Sequence, residues 1–474
     1  MRSVLQLQLT QWRRDKRLLS LLAAMALALA ATSAWSTYSD LERQHAQHEA
    51  AETSRGQWEG RGAAHPHSMA HFGDFTFRPS GALANLDRGV QSRLGKVLRI
   101  EAHRQGSPLH SDAARAGTVA RFAPPDAAFL LHRVVPLLLI FLGALGFGAD
   151  RTSGRLKLAL LQGAPARAVV LGHVAALWGL GLGLLGVVVV SSLLCAALGE
   201  EQVAFNAPRL LAFVGVHALF LGVLAAAVVA ASVWLRTARS ALLALLALWI
   251  VGTALLPRAT SSAATALYPL PSQDAFQASM QEAREAGPDG HNAEDALIEA
   301  RLQEALAEHG VETKEELPFD FSGIAMQIDE DYGNLVWDEH YGELADELDR
   351  QTRLGSFVAL ANPFQAIDHT SMALAGTDLA HDLDFQTQAE HYRRDLVRAL
   401  NNEHAYGGQG QRRGWEAPPE FYASLDAFIY DVPTLSRATE HRMLEFVSLL
   451  FWLFALLGLC LRGADRVERG GLPC

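Results

Sequence analysis

The residues whose types and spacing could bind a metal lie in one short turn. His65, His67, Met69 and His71 fall within seven positions of one another, with His45, His48 and His103 in the same polar segment. Imidazole and thioether ligands together suit copper. The competing reading is a solvated loop in a chain that carries 18 histidines. His217 is a second ionisable group of interest, because it sits inside an apolar run. It is either a functional group or a neutral imidazole bonded to a neighbouring helix. Arg133 and Arg209 fall near the ends of apolar runs, where long side chains extend to the membrane interface.

Other chemistry is missing. There is no Gly-x-x-x-x-Gly-Lys-Ser/Thr phosphate loop, no Gly-x-Ser-x-Gly elbow and no His-Glu-x-x-His zinc motif. Enzymatic function has little support on these grounds. The chain binds no cofactor by any motif it carries and cannot hydrolyse ATP by the usual phosphate cradle. The apolar runs are read as free of Asp and Glu, which argues against a proton- or sodium-driven carrier.

The elements that must position these residues are membrane spans. A hydrocarbon core of about 30 Å needs about 20 apolar residues in a helix. Six runs approach or meet that length, at residues 18–35, 129–147, 169–198, 209–235, 241–256 and 444–461. The fifth is short, and with Pro257 it suggests a helix broken near the membrane surface. The fold class expected is an α-helical polytopic membrane protein. Six transmembrane helices carry a mostly helical, α+β extracytoplasmic domain built from two insertions.

Charge orients the spans. The clusters at 13–17, 151–167, Arg236/Arg239 and Arg462/Arg466/Arg469 all fall on one side if the spans alternate. By the positive-inside bias that side is cytoplasmic, with both termini on it. The expected order follows. Residues 1–17 are an interfacial helix, 18–36 a span, 37–128 the first insertion and 129–256 a four-span bundle with a cytoplasmic connection at 148–168. Residues 257–443 are a second insertion, 444–461 a span and 462–474 a tail. A cleaved signal peptide at the start is the weaker alternative. The acidic Gly199-Glu200-Glu201 loop faces the outer side. Residues 271–440 hold 34 Asp/Glu against 11 Lys/Arg, which excludes nucleic acid as a partner of that face. Neither insertion contains cysteine, since Cys195 and Cys460 lie in runs and Cys474 ends the chain, so no disulfide framework is expected.

Within the first insertion, residues 39–58 extend the first span as a helix. The alternation at 72–77 and the segment 97–101 suggest short strands, and Pro124-Pro125 marks the return to the membrane. In the second, 275–309 forms two helices broken at Gly287-Pro288-Asp289-Gly290. Thr313 to Glu316 resembles a capping box. Residues 338–352 and 386–400 are further helices, followed by a loop at 407–410.

A family likeness rests on several of these segments. The start Gln11-Trp12-Arg13-Arg14-Asp15-Lys16-Arg17 and the connection Asp150-Arg151-Thr152-Ser153-Gly154-Arg155-Leu156, then Gly163 and Arg167, resemble permease subunits of ABC-2 type transporters. Their connection has the pattern Glu-Arg-Glu-x-Gly-Thr-Leu. Here the second acid is Thr152, the usual Thr is Arg155, and a frequent Lys is His173. The insertions resemble a subgroup with two large outer loops, through Asp87, Gly89, Glu101 and His103 in the first and Asn362, Pro363, Asp378, Tyr392 and Arg393 in the second. The resemblance implies a six-span permease half in the bacterial inner membrane, with both large loops periplasmic. It implies separate ABC ATPase subunits that use ATP and Mg, and a second permease, identical or a sister. Asp150, Arg151, Gly154, Arg155, Leu156, Gly163, Arg167, Arg13 and Arg14 would then meet the ATPase. It implies no substrate. The alternatives are a force-transmitting subunit acting on a periplasmic partner, and a metal-handling permease. Asp87-Arg88-Gly89 also reads as a plain turn, and Gly376-Thr377-Asp378 as one helix end followed by the next cap.

Overall fold

The computed structural model describes residues 2–106, 108–111, 126–198, 206–286, 293–408 and 415–469. The Gly199–Glu201 loop, Pro124-Pro125, the 287–290 break, residues 409–410 and Cys474 lie outside them. Six helices among the described residues are long and apolar enough to cross a membrane. The protein is therefore an α-helical multi-pass membrane protein.

Helix α1 (Arg2–Arg14) ends at Asp15. Asp15 caps α2 (Lys16–Glu59), its carboxylate accepting from the N–H groups of Arg17 and Leu18 at 3.0 and 3.2 Å. At 1.5 Å per residue, α2 is about 66 Å long, roughly twice a bilayer core. Its second half projects beyond the membrane, as the sequence suggested. Next come α3 (Pro66–Phe72) and an antiparallel pair, β1 (Asp74–Phe77) and β2 (Val97–Ile100), in register Asp74↔Ile100. The remaining spans are α4 (Ala127–Thr152), α6 (Ala166–Leu198), α7 (Ala207–Trp234), α8 (Ala238–Leu267) and α15 (Leu435–Glu468), with the short α5 (Arg155–Leu161) between α4 and α6.

Helix α7 is central, packed against α4, α6 and α15. Small residues bring the helices together, as expected where lipid removes the hydrophobic drive. A Cβ on Gly143 of α4 would come within 2.3 Å of Val228 in α7, and one on Gly148 within 2.3 Å of Ala238 in α8.

The second insertion holds α9 (Gln273–Ala286), α10 (Ala293–His309), α11 (Phe321–Ala359), α12 (Pro363–Ala375), α13 (Leu379–Tyr406) and α14 (Pro419–Ser424). It joins the first insertion at one end of the bundle. Ala64 and Ala417 exchange backbone bonds, and Arg78 meets Asp382 at 2.7 Å. Helix α12 does not stay in this outer layer. Phe364, Ala366, Ile367, Leu374 and Ala375 belong to the same buried cluster as the spans.

Several expectations need correction. The fifth span is not broken at Pro257. A π-helical turn at Val251–Leu255 absorbs the proline, and α8 continues to Leu267. A matching π turn, Leu130–Val134, precedes Pro136 in α4. Thr313 makes no side-chain cap, because Lys314–Glu316 is only a single 3-10 turn. The last apolar run does contain a carboxylate, Glu445, which is fully buried. Arg209 does not extend to an interface. It too is fully buried, and it donates to the carbonyls of Ala373, Leu374 and Pro433.

Candidate functional site

At the end of the bundle away from the insertions, α4 and α6 are joined through α5. Two glycines in the left-handed region bracket that helix, Gly154 at φ 75° and Gly163 at φ 85°. Residues with a Cβ rarely hold that conformation, so the glycines set both corners. Asp150 ties four elements together. Its carboxylate accepts from Gln8 of α1 at 2.8 Å and from Arg155 of α5 at 2.6 Å, and lies 3.2 Å from His173 Nε2 of α6.

The residues expected to meet a partner divide into two groups. Arg151 turns inward and donates to the carbonyls of Ser232, Leu235 and Arg236 at 2.7–2.8 Å, capping the last turn of α7. Leu156 is buried in the bundle core, and Asp150 is buried in its network. Arg167 forks onto Asp465 at 2.7 and 3.0 Å. Arg13, Arg14 and Arg155 remain exposed. The outward face of α5 is instead Lys157, Leu158 and Leu161, the two leucines 55% and 75% exposed. Helical spacing carries this signal. Leu156 and Leu160 are four apart and face the bundle, which turns Leu158 and Leu161 away from it.

At the opposite end, polar groups converge where α12 enters the bundle. Asp368 of α12 meets Arg133 at 2.6 Å and His132 Nδ1 at 2.9 Å, and His132 Nε2 lies 2.9 Å from His217 Nε2. His132 and Arg133 lie on the π turn of α4. Trp249 of α8 donates to the carbonyl of Arg133 at 3.1 Å. One turn on, Asn362 donates to the carbonyl of Gly252, in the π turn of α8, at 2.8 Å. Glu445 accepts from Ser356 at 2.7 Å and lies 3.1 Å from His369 Nδ1.

Most of the loop-motif residues converge here as well. Asn362 caps α12 with Pro363 as its first residue, Gly376 ends it in the left-handed region, and Asp378 caps α13. Asp378 also meets His381 at 2.6 Å and Arg442 at 3.1 Å. Burial pushes its carboxyl up, but these two partners outweigh burial and hold it at about 2. Asp87 accepts from Ser371 and from the Gly89 N–H. Its own burial, with Asp126 nearby, pushes its carboxyl up.

The other motif residues form a second cluster further out. Arg393 is fully buried and donates to Glu390, Glu330 at 2.9 Å and Asn334 at 2.6 Å. Glu330 accepts the backbone N–H of His103, whose Nδ1 lies 3.1 Å from Asp329. Glu101 is held by Arg99 and Arg104. Tyr392 packs beside Phe428 at the edge of the outer core. Of the His-rich turn, only His67 and His71 gather with His103. His65 pairs with His404 instead, and Met69 is buried in the outer core, so neither joins them. His132, Asp368, Asp329 and Glu330 carry no local signal in the sequence, because their partners stand more than forty residues away in the chain.

The family described as "Domain of unknown function (DUF3526)" matches residues 275–428, which span α9 to α14. No curated protein and no solved structure matches the chain.

Proposed function

We propose that this chain is the membrane-spanning permease subunit of an ATP-driven ABC-2 type transporter in a bacterial inner membrane. The observation that carries the reading is α5. It is a short helix between two glycine corners, it presents Lys157, Leu158 and Leu161 outward, and Asp150 locks it to α1. A partner pressing on α5 moves α1, α4 and α6 together, because one carboxylate holds all of them. ATPase subunits dock on this face and on Arg13 and Arg14. The positive-inside bias of the basic clusters supports a cytoplasmic position for this face and a periplasmic one for the two insertions. Closure of the ATPases tilts the spans as rigid bodies between two states.

A second permease completes the pore, either a copy of this chain or a sister. The membrane-depth faces of α2 and α8 are largely uncovered and leave room for it. A groove of about 1080 Å³ runs between α2 and α6, lined by Leu27, Ala31, Tyr38, Glu42, Ser191 and Leu194. It is apolar along the spans and polar at its mouth, which suits an amphiphilic cargo.

One observation favours a second reading, in which ATP drives force rather than cargo. Helix α12 of the outer layer is buried against α7 and α15, so the insertions move with the spans. Work done on α5 then reaches a periplasmic partner.

The test is purification of the full chain with its neighbouring gene products. Co-purification of an ATPase whose turnover the chain stimulates, with stimulation lost in Leu158→Asp/Leu161→Asp, supports the reading. Its absence overturns both versions. Cargo movement into vesicles separates transport from force.

A further inference from the structure

We propose that His67, His71 and His103 form a binding site for a divalent first-row transition-metal ion, zinc foremost. The proposal is independent of the transport reading.

The ligands are pre-gathered. His67 and His71 stand four apart on α3 and so share one face. Their Nε2 atoms are 3.1 Å apart. Two imidazole nitrogens bound to one tetrahedral zinc at 2.0–2.1 Å would be about 3.3 Å apart. The α3 pair therefore already spans one edge of such a site. His103 supplies the third ring, and one nitrogen from each ring lies within 4.8 Å of the others. Small side-chain rotations close the remaining edges.

His103 is held in place at some cost to its backbone. Its φ is 67°, a left-handed value that residues with a Cβ seldom adopt. Three contacts from the second insertion fix it there. Its N–H donates to Glu330, its carbonyl accepts from Arg284 at 3.2 Å, and its Nδ1 faces Asp329 at 3.1 Å. With Nδ1 engaged by a carboxylate, Nε2 is the nitrogen left for a metal. A carboxylate behind a ligating histidine is the usual support of a metal site, fixing tautomer and ring orientation. Arg284 and Arg99 bring positive charge nearby, but Asp329, Glu330 and Glu101 pair with them or surround them.

The donor set selects the ion. Three imidazoles, with no thiolate and with the Met69 thioether buried elsewhere, suit zinc, cobalt(II), nickel(II) or copper(II) rather than copper(I). His71 is exposed, which leaves a fourth position open to solvent or to an exchangeable ligand. The metal would also clamp two segments. The ligands come from the first insertion and the supporting carboxylates from the second.

The test uses the full chain in detergent, with any histidine tag removed and bound metal stripped by a chelator. Cobalt(II) titration should give visible d–d bands saturating at one equivalent, and zinc should bleach them. His71→Ala alone, at an exposed position, should weaken cobalt binding at least tenfold. His67→Ala/His71→Ala should abolish it, with apo thermal unfolding unchanged. Asp329→Asn, a positioning change, should weaken zinc about 10–100-fold, and His65→Ala should leave it untouched. Metal should raise the unfolding temperature of the native chain and not of the double variant. Absence of cobalt bands in a folded chain, or bands that survive His67→Ala/His71→Ala, would overturn the site. Should the double variant not fold, His71→Ala decides alone, and unchanged cobalt affinity there is the overturning result.

Discussion

His132 Nε2 lies 2.9 Å from His217 Nε2, while the other ring nitrogen of His132 lies 2.9 Å from Asp368. His217 in turn places its Nδ1 2.8 Å from the carbonyl of Phe213. A carboxylate of the outer layer is thus linked by two imidazoles to the backbone of the central span. Both ring nitrogens of His132 and of His217 have a partner, which is what burial of polar groups demands.

Asp368 is the member whose loss costs most. Asp368→Ala leaves the Arg133 guanidinium and the Nδ1 of His132 without their carboxylate at once. A fully buried pair so broken loses about 3–5 kcal/mol. The side chains of Arg133 and Asp368 keep about a quarter of their exposure, so about 2–3 kcal/mol is expected. Thermal unfolding in detergent reads this. Asp368→Asn, which keeps one acceptor, should lose less.

Arg209 makes a comparable prediction from neutral partners. Its guanidinium serves the last carbonyls of α12 and that of Pro433. Arg209→Met strands those carbonyls and should cost about 1–3 kcal/mol. Arg209→Lys should not restore stability, since a compact ammonium lacks the spread, planar donors that reach α12 on one side and Pro433 on the other. A lysine variant as stable as the parent would refute the capping role.

Asp378 sets an acid limb. Its folded carboxyl titrates at about 2, below the ordinary 3.8. A depressed folded value means the unfolded chain takes up its proton first as pH falls. The stabilisation is complete above about pH 4 and is lost as pH drops from about 4 to about 2. The shift corresponds to roughly 2–3 kcal/mol. Asp378→Asn should flatten that limb in unfolding measured against pH, and an unchanged limb would count against the assignment.

The two faces of α5 should separate cleanly. Leu158→Asp/Leu161→Asp should leave unfolding within about 0.5 kcal/mol of the parent, as for surface changes. Stimulation of a partner ATPase should fall at least tenfold. Leu156→Ala empties a core position instead and should cost about 2–5 kcal/mol of stability. If Leu156→Ala spared stability, the inward assignment of that face would be wrong.

Much of this architecture is legible in the chain. Apolar run length locates all six spans, and alternation at 72–77 locates β1. Gly154 and Gly163 announce the corners of α5. The lodging of α12 is not legible, because Gln365, Asp368, His369, Thr370 and Ser371 make its sequence look like that of a soluble loop helix. Each of these polar groups has a partner on a distant element or its own backbone, so burial is tolerated. Glu445 stands in plain view at the start of the sixth run; what the sequence does not show is that Ser356 and His369 partner it. The histidine trio is half visible. His67 and His71 show helical spacing, whereas His103 arrives only through its contacts with α11.

The shared core around α12 has a consequence for how the chain folds and how it can be dissected. Phe364, Ile367 and Leu374 are buried among residues of α4, α7 and α15, so the outer layer, although Met69, Phe385 and Leu400 give it a core of its own, shares part of the bundle's interior. Helix α12 is the element that couples the two. Excising the two insertions as a soluble fragment would strip α12 of its neighbours and leave an apolar helix face bare to water, a surface prone to aggregate. Chemical unfolding of the intact chain should accordingly show the α12 region and the central span losing structure in a single transition, and hydrogen exchange at Ile367 and at Val223 should slow and quicken together.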